Sequence, residues 1–533
     1  MPDPKALKRP RVRFENRREP STRYFRQSID ENRLTIYTGC CQVVHLSTAA
    51  QLIDQSAMAL LHATQRRPFT KNNGVRRPAQ WSTLAPDQER TVMVRHTQQG
   101  IMRICAALLA AASILGFSGC GEAQREAAKA NAKEITLWTH SAGSEAELAA
   151  DYQMINAYNK SPNRKATVKL QSFPQSSYND SIISASSAGN LPCLVDVDQP
   201  NTPYWAWANI LAPISDEALL KRANELMKSA KGTWNDKIYT VGYFDATTAL
   251  FARKSVLEKN GIRIASVDHP WSKSEMDEAL AKLKESGQWS YPFEIGTADN
   301  KSEWYAYAYG PILQSFGGDL INRANYQTSD GKLNGTAAKD FAHWMQNLVA
   351  KGYISSKGGS DTALDFVNNK SALLYGGIWS MSTFQQYAKD YGDIVAMPLT
   401  DFGHGSVAGG GSWTVGVTST CTNKEAAQDY LRFSLQDKYI AAMSKAGMNI
   451  PVTSGAQQLV PQFAKGGDMQ VFTQISQRYA KMRPETPAYN FISTEFRKTI
   501  GDIMNGADVD SGLDKAVNHI DGNIQGADGY TKN

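Results

Sequence analysis

The chain has none of the short motifs that announce the common catalytic chemistries. It contains no His-Glu-x-x-His to hold zinc, no Cys-x-x-Cys for redox exchange, no Gly-x-Ser-x-Gly elbow and no phosphate-cradling Gly-Lys-Ser/Thr. The run Gly403-His-Gly-Ser-Val407 is not a nucleophile elbow and reads as a flexible loop. No internal repeat is visible, which excludes solenoids and propellers. Long apolar runs are missing too. The uncharged stretch Ala106 to Phe117 is too short to span a bilayer as a helix, and nothing after it reaches that length, so the body reads as soluble. Cysteine is scarce, six residues in 533, and only Cys120, Cys193 and Cys421 lie beyond that stretch.

What surrounds the stretch is informative. Met102 and Arg103 supply a short positive start and Ala106 to Phe117 an apolar segment of signal length. The order Leu115-Gly116-Phe117-Ser118-Gly119-Cys120 then resembles a bacterial lipobox, in which small residues precede a cysteine that becomes diacylated. Lipid on Cys120 would tether the following domain to a membrane surface.

Such a signal divides the chain. Residues 1–101 hold 17 Lys and Arg against 8 Asp and Glu, a charge of +9, which leaves −3 for the remainder of a chain at +6. The basic balance thus belongs to an Arg-rich extension with no clear amphipathic period. A signal cannot act from mid-chain, so translation is expected to start at Met102 or Met93 and the extension to be absent from the mature protein. A nucleic-acid-binding arm would require the signal to be false, and no nucleic-acid partner is expected. Residues 102–119 are then a signal peptide and 120–133 a polar tether. The body after Cys120, about 410 residues, is long enough for two lobes with separate cores. With Cys120 lipidated, Cys193 and Cys421 form an even pair in an oxidising compartment, which permits one disulfide; two unrelated buried thiols fit the spacing as well.

The body reads as α/β. Short strands are expected at Glu134 to Thr139, Ala166 to Gln171 and Cys193 to Val197, with helices at Ser144 to Tyr158 and Tyr178 to Ser187 between them. This order argues for a parallel sheet with crossover helices, whose ligands bind outside the carboxyl ends of the strands. The loops there are His140 to Glu145, Phe173 to Ser177 and Asp196 to Tyr204. Further helices are expected at Lys273 to Glu285 and Thr336 to Val349, and a strand at Ala372 to Tyr375.

Several segments, taken in order, carry a resemblance. They are Ile135-Thr-Leu-Trp138, Ala188-Gly-Asn-Leu-Pro-Cys-Leu-Val-Asp-Val-Asp198, Ala249 to Gly261, Asp365 to Trp379, Gly409-Gly-Gly-Ser-Trp-Thr-Val-Gly416, and Asn423-Lys-Glu-Ala-Ala427. Together they resemble the extracellular solute-binding proteins of ABC importers that include maltose-binding and other sugar-binding proteins, with Cys193 where the family usually has Asp. The resemblance implies a two-lobed periplasmic-binding-protein fold of type II with a multi-strand hinge and the ligand in the inter-lobe cleft. One lobe would comprise 134–243 plus 408–453, the other 244–407 plus 454–525, with crossings near Phe244 to Thr247, Val407 to Ser412 and Asn449 to Thr453. It also implies that the strands bearing Cys193 and Cys421 are neighbours, within disulfide reach.

Function follows as an expectation: a lipid-anchored monomer in the periplasm or at the outer face of the cell membrane. It would capture a carbohydrate, a neutral sugar or oligosaccharide, and deliver it to the permease subunits of an ABC importer, with no catalysis, cofactor or metal. Sugars need paired polar groups for their hydroxyls and aromatic faces for their C–H patches. Trp379 is the first choice as stacking platform, with Trp304 and Tyr305 beside it by resemblance. Glu145, Gln175, Asp196, Asp198 and Asp245 are the polar candidates. Gly410 and Gly411 would let the ligand approach the backbone. His140 is expected as a solvated loop residue. No Arg/Lys cluster gathers in these loops to hold an anion. Polyols and glycerol-phosphate-type solutes stay open as alternatives, as does a carboxylate-pair glycosidase.

Overall fold

The structure, a computed structural model, describes residues 133–531, which lie within the unit Gln124–Asn533. The Arg-rich extension 1–101, the signal segment 102–119, Cys120 and the tether to 132 fall outside the described residues.

Two sheets organise the chain. The first takes β1 (Glu134–Thr139), β2 (Thr167–Ser172), β3 (Leu194–Asp198), β4 (Leu211–Ala212), β5 (Lys231–Trp234) and β6 (Lys237–Val241). The second takes β7 (Phe244–Arg253), β8 (Phe293–Glu294), β9 (Leu373–Gly377), β10 (Ile394–Met397) and β11 (Ala408–Gly411). The chain then gives β12 (Trp413–Thr418) back to the first sheet, and β13 (Ile450–Pro451) and β14 (Ala480–Met482) to the second. The first sheet runs β2-β1-β3-β12-β6-β5 and the second β14-β11-β7-β9-β8.

Local sequence explains the parallel core. In β1, Ile135, Leu137 and Thr139 point inward while Glu134, Thr136 and Trp138 are half-covered, the alternation of a strand with one face on the core. All five residues of β3 are buried, because helices cover both its faces. Between these strands run the helices Glu145–Lys160 and Gln175–Ser187, which give β1, β2 and β3 their parallel pairing. β12 then runs antiparallel to β3. In the second lobe, helix Lys273–Glu285 begins at a capping box in which Ser272 and Glu275 satisfy each other's backbone amides.

The sheets are joined where strands of one follow strands of the other directly. Gly242 and Tyr243 alone separate β6 from β7, and Ser412 alone separates β11 from β12. The third link, β13, pairs with the start of β7. The segment 408–453, expected to belong whole to the first lobe, is therefore divided: β12 pairs in the first sheet, while β11 and β13 pair with β7 in the second. Short links of this kind let two rigid bodies tilt at a few backbone positions. Cys193, just before β3, is bonded to Cys421, just after β12, with Cα atoms 4.5 Å apart.

Candidate functional site

The carboxyl ends of β1, β2 and β3 open toward the second lobe, and the polar residues gathered there are unusually well buried. Asp196 accepts hydrogen bonds from Thr139 Oγ1 at 2.6 Å and from the His140 amide at 3.2 Å, and His140 Nδ1 lies 2.8 Å away. His140 is buried, not solvated as expected, because its ring lies flat on Trp413 with centroids 3.6 Å apart and planes 7° apart. Tyr178 meets both rings edge-on. Asp196 thus braces the loop after β1, and Trp413 covers the brace.

Asp198 reaches the other lobe. Its carboxylate takes a two-pronged bond from Arg483, with Nη1 at 2.7 Å and Nη2 on the second oxygen. Both side chains are less than a tenth exposed. Arg483 Nη1 also stands 3.5 Å from Glu303 Oε2, which accepts from Tyr489 OH and, at 2.9 Å, from Ser493 Oγ. The guanidinium lies over the rings of Tyr307, 5.1 Å away, and Tyr489, 5.8 Å away. Burial alone would lower the Arg483 pKa, but Asp198 and its neighbours hold it above its ordinary value. Burial pushes the Glu303 carboxyl up, against the pull of Arg483. The network carries two carboxylates on one cation across the seam between the lobes.

Trp379 stands at the edge of this network. It follows β9 and is 42% exposed, one of few large apolar side chains so open. Its ring meets Trp304 edge-on at 6.1 Å and leans on Tyr307 at 6.0 Å. Gly377 makes room for it, since a Cβ there would lie 2.2 Å from the indole. Trp304 is buried beneath, its Nε1 donating to the Ile295 carbonyl at 2.7 Å, so it backs the exposed ring.

The remaining candidates lie differently from their expected roles. Tyr305 is packed in the second lobe's core, its hydroxyl donating to the Thr297 carbonyl at 3.0 Å and its ring 4.5 Å from that of Tyr309. It presents no face to the seam. Asp245 is buried at the start of β7 and accepts from Ser476 Oγ at 2.5 Å; burial raises its pKa against the hydrogen bonds that stabilise its charge. Gly410 and Gly411 are buried in β11. A Cβ on Gly410 would lie 2.9 Å from Ala480 Cβ, and Gly411 adopts φ +114° beside Met482, so packing against β14 already requires glycine at both. Glu145 and Gln175 open the two helices after β1 and β2 and are exposed.

The sequence reading missed Trp413, Arg483, Glu303 and Tyr307. Trp413 ends the Gly-Gly-Gly-Ser-Trp run already singled out, so a signal for it existed. Arg483 follows three residues of β14 too short to show a period.

Comparison with known proteins agrees with this architecture. A family model described as bacterial extracellular solute-binding protein matches residues 153–471. The maltodextrin-binding protein MdxE of Bacillus subtilis is 24% identical over 192 residues, 34% of this chain and 44% of that protein, so the match spans less than half of that relative. The diacetylchitobiose-binding protein DasA of Streptomyces coelicolor is 22% identical over 369 residues, 66% of this chain and 81% of that protein. Among solved structures, the GacH receptor of Streptomyces glaucescens superposes with a TM-score of 0.63 at 20% identity, over 74% of this chain and 98% of GacH. The fold is the two-lobed, type II periplasmic-binding-protein fold. The chain belongs to the bacterial extracellular solute-binding proteins.

Proposed function

We propose that this protein is the substrate-binding component of an ABC importer and that it captures a neutral carbohydrate, an oligosaccharide in the first instance, between its lobes. The observation that carries the reading is Trp379: an indole left 42% exposed, backed by Trp304 and Tyr307, at the edge of a buried hydrogen-bonding seam. An aromatic face beside dense polar groups suits a ring with apolar C–H faces and a hydroxylated edge. The names of MdxE and DasA point to the same ligand class. Asp198 and Asp196 are the carboxylates at the strand ends of the first lobe, with Glu145 and Gln175 on the outer loops, while Asp245 is held by Ser476 at the crossing. A glycerol-phosphate-type solute is disfavoured by the seam's charge, because Arg483 is already committed to Asp198 and Glu303.

Binding would draw the lobes together to the extent that the closed form binds the sugar better, and the closed form would be what a membrane permease engages. Diacylation of Cys120 would hold the protein at the outer face of the membrane, where ligand arrives. No chemical step is assigned to the protein.

A thermal-shift screen against neutral oligosaccharides, monosaccharides, polyols and sugar phosphates tests the reading. A selective rise with a neutral sugar is expected, since a ligand of the native state stabilises it by mass action. Silence across all neutral sugars from folded protein, or a rise only with phosphorylated solutes, would overturn it.

A further inference from the structure

The segment from Asp198 to Trp207 touches the second lobe at both of its ends. At the first end Asp198 binds Arg483. The chain then turns through Gln199–Asn201 into the short helix Thr202–Trp207. That helix belongs to the first lobe, because Trp205 and Ala206 are buried in one apolar cluster with Val195 and Val197 of β3 and Leu211 of β4. Trp207 does not join them. It is half-buried and packs against the core cluster of the second lobe. Successive side chains on a helix diverge by about 100°, so one turn can serve two cores.

The partner of Trp207 is Tyr530. Their rings meet edge-on, with centroids 5.0 Å apart and planes at 73°, an arrangement that aromatic pairs favour. Tyr204, on the same helix, lies beside Trp207 at 6.1 Å with planes 28° apart and backs it from the first lobe. Tyr530 is backed from the second. It is buried, and its hydroxyl donates to Asn523 Oδ1 at 2.8 Å on the helix Val509–Gly526.

The backbone under Tyr530 is unusual. Asp528, Gly529 and Tyr530 take φ of +48°, +66° and +55° in succession. A helix commonly ends on one left-handed residue, usually glycine. A bulky tyrosine in that region is uncommon and persists where its surroundings fix it. Here Gln327 Nε2 donates to the Gly529 carbonyl at 3.2 Å and the Tyr530 amide donates to the Ala527 carbonyl at 2.8 Å. The third residue of this costly turn carries the ring that meets Trp207.

We propose that Trp207 and Tyr530 form an aromatic latch that biases the two lobes toward their joined arrangement, with the turn Asp528–Tyr530 as its fixed half. The inference rests on the lobes parting at the hinge described above and not on the identity of any ligand. One ring against another exposes little apolar area when it separates, so the latch shifts the balance without locking it. A pair of this geometry accounts for roughly a twofold to tenfold change in the ratio of joined to parted lobes.

The test uses the full chain without added ligand. Ketone-reactive spin labels are placed on p-acetylphenylalanine introduced at Tyr152 in the first lobe and Tyr291 in the second, both exposed, and the distance distribution is read by pulsed electron resonance. Trp207→Ala and Tyr530→Ala should each move the population by about twofold to tenfold away from the distance that the structure shows. The double variant should move it no further than the larger single effect, since either loss removes the same contact. Tyr530→Phe keeps the ring and should stay with wild type. Should Tyr530→Ala fail to fold by its melting curve, Trp207→Ala, which removes a half-buried side chain, still decides. An unchanged distribution in Trp207→Ala would overturn the latch, and so would additive shifts in the double variant, because the two rings would then act separately.

Discussion

Replacing Arg483 with methionine isolates the energetic role of the seam. The side chain is similar in length and apolar, so packing against Tyr307 and Tyr489 is largely kept while the charge is lost. Asp198, whose side chain is only 6% exposed, would then keep its carboxylate in a dry site with no cation. Glu303, 3.5 Å from the lost nitrogen, would lose the same partner. Breaking a buried pair from one side typically costs about 3–5 kcal/mol, because the remaining charge is desolvated without compensation. Arg483→Met should therefore lower the unfolding free energy by that amount in urea titrations followed by tryptophan fluorescence. The companion variant Asp198→Leu/Arg483→Met removes both charges and should recover most of the loss, since a well-packed apolar pair is often as stable as the ion pair it replaces. An Arg483→Met effect within about 0.5 kcal/mol of wild type, the range of an ordinary surface change, would refute the argument. So would a double variant no more stable than the single one, because the uncompensated charge would then not be the cause.

Trp379→Ala should weaken sugar binding at least tenfold, about 1.4 kcal/mol, with little change in the ligand-free melting curve because the indole is 42% exposed; unchanged affinity in calorimetry would remove it from the site. Asp151, on the helix after β1, is buried, and burial first and nearby Asp196 and Glu147 second raise its pKa well above the ordinary carboxylate value. The folded state therefore keeps this proton after the unfolded chain has lost it, so its contribution is full below about pH 4 and falls as pH rises toward the folded value. Asp151→Asn should accordingly gain stability relative to wild type at pH 7 and gain less at pH 4, and a gain independent of pH in urea titrations would contradict the assignment. Reducing the Cys193–Cys421 bridge, which closes a loop of 228 residues, should cost up to about 5 kcal/mol by the loop-entropy relation. A melting temperature indifferent to dithiothreitol would show the bridge to be energetically idle.

Local pattern was enough to find β1, whose Ile135 and Leu137 alternate with half-covered neighbours, and to place β3 within a residue of each end, Cys193 to Val197 against Leu194–Asp198. What each aspartate does was not legible, because the partners are remote: His140 lies 56 residues before Asp196, and Arg483 lies 285 residues after Asp198. The tyrosines of Trp304-Tyr-Ala-Tyr-Ala-Tyr309 show a second limit. A π-helical turn over Tyr305–Tyr309 brings Tyr305 and Tyr309 together in the core and leaves Tyr307 facing Arg483. Composition reveals three tyrosines but not the phase of the turn, so the resemblance points to Tyr305 whereas Tyr307 is the one that meets Arg483. Gly410 and Gly411 were visible as a need for space, and the space is taken by β14.

The same remoteness bears on why the seam is charged at all. An apolar contact between the lobes would be as stable and simpler to encode, but it would expose its whole area to water whenever the lobes part. On opening, Asp198 would part from Arg483, which keeps Glu303 on its own lobe, and both partners would regain hydration, so part of the cost of separation would be returned by solvent. A ligand can shift the open and closed populations only by its difference in affinity for the two. That difference suffices only if the empty protein keeps both states within a few kcal/mol. A polar seam satisfies this condition, because the Asp198–Arg483 pair exchanges its contact for hydration rather than exposing apolar area.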